Sequence, residues 1–413
     1  MSIAVAVGTT SADDWPQWRG GDFSSTTSEK NLPVDFDQQW RVEMPGSAGS
    51  SPIVIGDRVF VTSIDGDDML LLCVVDGKVA WQRKLEGSNQ RSRDGANSAS
   101  ASPCSDGEQV WAMMGNGALA CFTLDGEPVW SKNLQDVYGK FDIQFGMSST
   151  PVLYKGNLYL ALMHGSMRSK TPSVGQVISL DAKTGKENWL HLRKTDGIAE
   201  NKHSYASPTI YQSGDLELLV THGADYVIAH SLKDGSEVWR CGGINKKGPS
   251  YNPFLRFVAS PACSDGYVIT PSAKKGPVLA VNPNQKGDLT SGDTLHWRID
   301  RGTPDVATPL IYDGIVYLAG ERGELTCLDL KTGDQLSKKR QFSDKHRSTP
   351  VAGDGKIYIA DRKGTVLVFQ AGEKQDLLSK HEIGEETTAS PAISDGRIYI
   401  RTFDALYCFG NNK

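Results

Sequence analysis

The sequence predicts an all-β fold, a closed eight-bladed β-propeller of four-stranded antiparallel blades. Three observations carry this. A Ser/Thr-Pro pair followed by a β-rich run recurs eight times, at Pro52, Pro103, Pro151, Pro208, Pro261, Pro309, Pro350 and Pro391. Each full copy holds four strand-length segments separated by turn residues. The last copy is one strand short, and a spare strand stands ahead of the first copy. At 413 residues the chain is too long for one ordinary hydrophobic core, which stops growing at about 250–300 residues. A repeat array escapes that limit because each unit packs only on its neighbours.

The sixth copy shows the unit clearly. Thr308-Pro-Leu-Ile-Tyr opens strand A, where Pro is tolerated because the first residue needs no ladder donor. Asp313-Gly314 makes a tight hairpin turn. Ile315 to Leu318 alternates as strand B, and Gly320 to Gly323 turns the chain into strand C, Leu325 to Leu328. Asp329 to Gly333 is the next turn, leading into strand D. In most copies strand D carries a tryptophan: Trp81, Trp130, Trp189, Trp239 and Trp297. Blades six and seven have none.

Asp181-Ala-Lys-Thr-Gly-Lys-Glu-Asn-Trp189 resembles the Asp-x-x-Thr-Gly-x-x-x-Trp signature of the PQQ-type propeller repeat, found in quinoprotein dehydrogenases and in the BamB family. Shortened forms stand at Asp76-Gly77, Asp125-Gly126 and Asp234-Gly235. The resemblance covers nearly everything from Trp40 onward and implies that each Trp packs between blades. A large flat apolar side chain with one donor suits that place.

The ends predict closure. Ser390 to Phe409 supplies strands A to C, and Gln39 to Met44, with Trp40 at the Trp position, supplies the missing strand D. Closing the ring removes two exposed sheet edges. Ahead of it, Trp15-Pro-Gln-Trp-Arg-Gly20 is similar to an N-terminal motif of secreted BamB-like propellers, and is expected to plug the side or base. Residues 1–14, with an apolar Ile3 to Val7 and small residues to Ala12, read as a signal-peptide remnant or a disordered arm ahead of one propeller over 15–413. No cysteine follows in lipobox position, so lipid anchoring is not expected.

Composition excludes several classes. No long apolar run spans a membrane. A formal net charge of −5 without a Lys/Arg stripe argues against nucleic acid. Among seven cysteines, Cys73, Cys121, Cys327 and Cys408 share one repeat position that also accepts Ser179 and Ala229. That is a small packing slot, so these are expected as buried free thiols. No zinc, haem, nucleotide or hydrolase motif occurs.

Most long connections are D-to-A and B-to-C, and these lie on one face, where loops on a rigid scaffold usually bind; the opposite face has short turns apart from Asn282 to Asp293. The D-to-A and B-to-C connections carry Arg91 and Arg93, and a candidate ligand set of Asn97, His203, Tyr251, Arg256, Asp305, His346 and Arg347 near the axis. Arg and His there suit a polar ligand or peptide. Mutual pairing of the same groups is the competing reading. No catalytic or metal residues are expected.

The expectation is a non-catalytic periplasmic or secreted binding or scaffold propeller, monomeric and without cofactor, using this face for a protein partner or small polar ligand. Two alternatives stand beside it. One is a PQQ- and calcium-dependent dehydrogenase, with Arg256 or Arg347 on the quinone carboxylates and Asp305 as base. It lacks the adjacent Cys-Cys pair typical of quinoprotein alcohol dehydrogenases. The other is glycan or peptide recognition, with Tyr205, Tyr251 and Phe254 as stacking surfaces.

Overall fold

The structure, a computed structural model, describes residues 14–90, 96–291 and 294–411. Eight sheets, each with four antiparallel strands, follow one another along the chain and close into a propeller, and Gly287–Asp288 adds a short parallel strand to the outer edge of the fourth. Blade 1 is typical: Ile53–Ile55, Arg58–Asp65, Asp68–Val75 and Lys78–Leu85 form strands A to D. Strands B and C are almost wholly buried, while strand D alternates exposed and half-buried residues. The eighth blade is composite as predicted. Asp37–Glu43 pairs with Ala405–Gly410, and Trp40 stands opposite Cys408.

The Ser/Thr-Pro pairs do more than start strands. The backbone N–H of each Ser or Thr donates to the side-chain hydroxyl of its counterpart in the next blade. The bonds run Ser51 to Ser102 (2.9 Å), Ser102 to Thr150 (3.2 Å), Thr150 to Ser207 (2.9 Å) and Ser207 to Ser260 (2.9 Å). They continue from Ser260 to Thr308 (3.1 Å), Thr308 to Thr349 (3.1 Å), Thr349 to Ser390 (2.9 Å) and Ser390 back to Ser51 (2.9 Å). Eight buried donors are thus satisfied by eight hydroxyls in a closed circuit around the axis.

A second circuit runs through the outer part of the blades. The strand-D Trp of one blade lies on the C-to-D turn of the next. Its indole N–H donates to a carbonyl there: Trp81 to Leu124, Trp130 to Ala182, Trp189 to Leu232, Trp239 to Pro283 and Trp297 to Leu330. The turn needs glycine for two reasons. Gly235 has φ +72°, and a Cβ there would fall 2.6 Å from the Trp189 ring. The strand-C residue opposite each Trp is Cys73, Cys121, Ser179, Ala229, Ala280 or Cys408, each buried. The small slot is therefore the seat of the indole, and all seven cysteines are free.

Where the Trp is missing, other groups fill the seam. In blade 6 Ser337 stands opposite Cys327, and Gln375 from the C-to-D turn of blade 7 donates to Ser337 Oγ (2.8 Å) and to the Leu325 carbonyl (3.0 Å). In blade 7 Ser379 bonds the Val34 carbonyl, and Phe36 stacks on Tyr358 and Phe409. The N-terminal segment also spans the channel. Trp15 exchanges both backbone bonds with Val54, Gln17 bonds Leu153, Arg19 donates to the Pro261 carbonyl, and Thr27 pairs with Ala352. Those contacts cap the inner edges of strands A in four blades. The plug prediction holds. Residues 1–13 lie outside the described residues.

Thr308→Val keeps the shape of the inner ring but leaves the buried Ser260 N–H without an acceptor. The expected cost is about 1–3 kcal/mol, read as a lower urea midpoint with unchanged slope. An unchanged midpoint would remove the ring from the account of closure.

Candidate functional site

Directly above the Ser/Thr ring, on the long-loop face, the axis widens into a pocket of about 250 Å³. Its floor is the eight ring residues, together with Trp18, whose indole N–H reaches Ser390 Oγ at 3.5 Å. Its wall includes Phe145, Tyr205, Arg256 and Arg347. Each wall residue comes from a D-to-A connection just before a strand A. The tethering of strand A by the ring therefore positions the wall.

The two arginines differ. Arg256 lies over the Phe145 ring at 5.4 Å and reaches Asp305 at 3.7 Å. Arg347 makes no hydrogen bond or ion pair among the described residues, and its buried Nε has no partner. It also lines a side recess with Asn97, Ser100, Arg362 and Thr388. Arg362 has Glu386 at 3.5 Å. Among the described residues, Arg256 and Arg362 at this mouth are paired and the Arg347 guanidinium is not.

The predicted residues separate accordingly. Arg256 and Arg347 line the pocket. Asp305 stands behind Arg256 and also accepts from the Lys274 N–H at 3.0 Å. Asn97 faces the side recess, with its side chain bonded to Ser47 and Ala99. The structure does not bring His203, Tyr251 or His346 into the pocket. His203 is buried with Nε2 2.8 Å from the Gly165 carbonyl. Tyr251 donates to the buried Asp225 at 2.7 Å, which also accepts from Asn201 and Asn245. Burial holds the Asp225 carboxyl above its ordinary range. His346 is buried against Phe342, ring centroids 5.3 Å apart. Local sequence placed these three on the right loops but could not show which way they turn. Arg91 and Arg93 lie outside the described residues. The expected stacking surfaces also divide: Tyr205 is buried with its hydroxyl bonded by the Phe145 N–H, whereas Phe254 is 57% exposed.

Sequence reasoning missed Trp18 and Phe145. A Trp three residues after another, in a segment already read as a plug, was the available signal for the first. Nothing local marked Phe145.

A quinone held by calcium needs more than these residues offer. Calcium takes about 6–8 oxygen ligands, several of them carboxylate. The pocket lining holds hydroxyls and arginines but no carboxylate. Among the described residues no group of three His, Cys, Asp or Glu could hold a metal. The arginines could take quinone carboxylates, but the donor set does not fit the metal.

An eight-bladed ring of Trp-docked repeats around a small axial pocket defines a PQQ-type propeller. The chain belongs to the family described as outer membrane protein assembly factor BamB, whose model matches residues 33–240, 115–334 and 173–412. Staggered matches are what a tandem repeat gives. Solved structures agree on the fold. Quinohemoprotein alcohol dehydrogenase from Comamonas testosteroni superposes with a TM-score of 0.70 at 11% identity, over 97% of this chain and 81% of that one. BamB from Moraxella catarrhalis gives 0.64 at 14%, over 92% and 98%. A europium-containing methanol dehydrogenase gives 0.71 at 9%, over 97% and 98%. A polyvinylalcohol dehydrogenase from a Pseudomonas species is 26% identical over 306 residues, 61% of this chain. The chain spans 45% of that relative's length. No helix among the described residues is long and apolar enough to cross a membrane.

Three buried histidines set a pH dependence. Burial holds His346 at about 4. Burial, then the Arg193 charge, holds His222 and His230 at about 3. Unfolded histidine titrates near 6.5, so this stability is complete above about 6.5 and falls as pH drops toward the folded values. The expected loss is about 1.4 kcal/mol per pH unit for each histidine in that window, read from urea midpoints at pH 7 and pH 5. Equal midpoints would contradict it.

Proposed function

We propose that the protein is a non-catalytic binding propeller of the BamB type that works outside the cytoplasm. Its long-loop face receives a protein partner or ligand, and the axial pocket holds a carboxylate of that ligand on Arg347. The observation that carries this is the Arg347 guanidinium, which has no hydrogen-bond or ion-pair partner among the described residues, whereas Arg256, the other charged group of the lining, is paired with Asp305. A guanidinium presents a planar fork of donors matched to a carboxylate. At about 250 Å³ the pocket is smaller than the usual 300–1,000 Å³ of small-molecule sites. It suits a chain terminus or acidic side chain better than a large cofactor. Family membership supports a binding role, and a pocket lining without carboxylates counts against a quinone held by calcium.

The second reading, a PQQ-dependent dehydrogenase, draws on the names of the polyvinylalcohol, alcohol and methanol dehydrogenases that the chain resembles. It expects thermal stabilisation by PQQ with calcium, and the binding reading expects none.

The test compares short peptides ending in a free carboxylate with the same peptides amidated. Free-acid peptides should bind, and Arg347→Ala should weaken them about tenfold or more, since hydrogen bonds to a charged group are worth about 1.5–3 kcal/mol. Equal binding of the amidated peptides, or full binding by the variant, would sink the proposal.

A further inference from the structure

A second charged feature stands away from the axis, at the long-loop corner of blades 4 and 5. The whole chain has a formal net charge of −5, yet two loops here hold cations alone. Residues 242–255 carry Lys246 and Lys247 with no acid of their own, Lys247 pairing with Asp196 at 2.7 Å, and residues 272–277 carry Lys274 and Lys275 with no acid. Arg298 and Arg301 come in from the end of blade 5.

These groups form a recess. Lys246, Arg298 and Arg301 line a cavity of about 270 Å³ with Pro277 and the single carboxylate Asp300. Arg298 is pinned by Asp300 at 2.8 Å and by the Gly243 carbonyl at 2.9 Å. Lys246, Lys275 and Arg301 are exposed and have no ion-pair partner within 4 Å among the described residues. Lys274 bonds the Phe254 carbonyl, which joins the neighbouring loop to this corner and leaves the Phe254 ring in solvent.

We propose that this corner is a docking site for an acidic, extended segment of a partner protein, its carboxylates on Lys246, Lys275 and Arg301 and an apolar side chain on Phe254. Charge complementarity selects the occupant: surplus cations on an acidic molecule steer an acidic partner and repel copies of basic surfaces. The recess and the fixed fork of Arg298 favour separate carboxylates over a flat anionic surface. One exposed aromatic ring is far less than the apolar stripe that seats a protein in a lipid interface. The site is separate from the axial pocket and does not depend on the function proposed for it.

The experiment measures anisotropy of a fluorescein-labelled hexaglutamate peptide bearing one phenylalanine, against the matching glutamine peptide. The full protein should bind the acidic peptide and not the neutral one, with affinity falling as salt rises from about 0.05 M to about 0.3 M. Lys246→Glu with Arg301→Glu, both on exposed side chains, should weaken binding about tenfold or more. Lys183→Glu with Lys331→Glu, the same charge change on exposed C-to-D turns of the opposite face, should leave it unaltered. Equal loss in that control would reduce the effect to net charge and overturn the proposal. So would unaltered binding in the double variant, or binding of phosphatidylglycerol vesicles with none of the peptide.

Discussion

The hydroxyl circuit around the axis is the constraint from which the rest of the molecule follows. A Ser or Thr N–H at the start of strand A points away from its own sheet. Left alone in the interior it would cost about 1–3 kcal/mol. The next blade supplies the hydroxyl, and that residue's N–H turns to the blade after it. Only a closed ring satisfies every member, because an open array would leave one donor and one hydroxyl idle at its ends. The composite eighth blade answers the same requirement at the outer strands. Ser390 can donate to Ser51 only because Asp37–Glu43 completes the sheet beside Ala405–Gly410.

The Trp circuit is looser and admits substitution. Its function is to fill the wedge between diverging blades, and volume matters more than chemical identity there. Blades 6 and 7 show how that works. Gln375 fills one seam with a side chain reaching back from the next blade, and Phe36 fills another from the N-terminal segment. The segment that plugs the channel thereby also repairs the ring. One stretch of chain closes the base, caps inner strand edges, and sets Trp18 beneath the pocket.

The site inherits its geometry from this frame. Arg256 and Arg347 precede the ring residues Ser260 and Thr349 by only a few positions, so rigid strand starts hold their backbones. What separates them is local company. Asp305 and Phe145 occupy Arg256, whereas Arg347 has an idle buried Nε. The D-to-A connections also carry His203, Tyr251 and His346, and each turns inward: His203 onto the Gly165 carbonyl, Tyr251 onto Asp225 and His346 against the Phe342 ring.

The sequence alone determined the fold, because a repeat prints the same physical demands eight times. Pro at strand starts, Gly at turns and Trp opposite a small residue are each weak in one copy and decisive in eight. The count of strands at the two ends even dictated where the ring closes. The sequence also placed Arg256 and Arg347 on the long-loop face, where both line the axial pocket, since strand direction assigns every loop to a side. Only the tertiary structure decided which polar loop residues meet and which are spent inward. That choice depends on side-chain direction and on partners from other connections, such as Phe145 and Asp305 around Arg256. Periodicity carries no record of either.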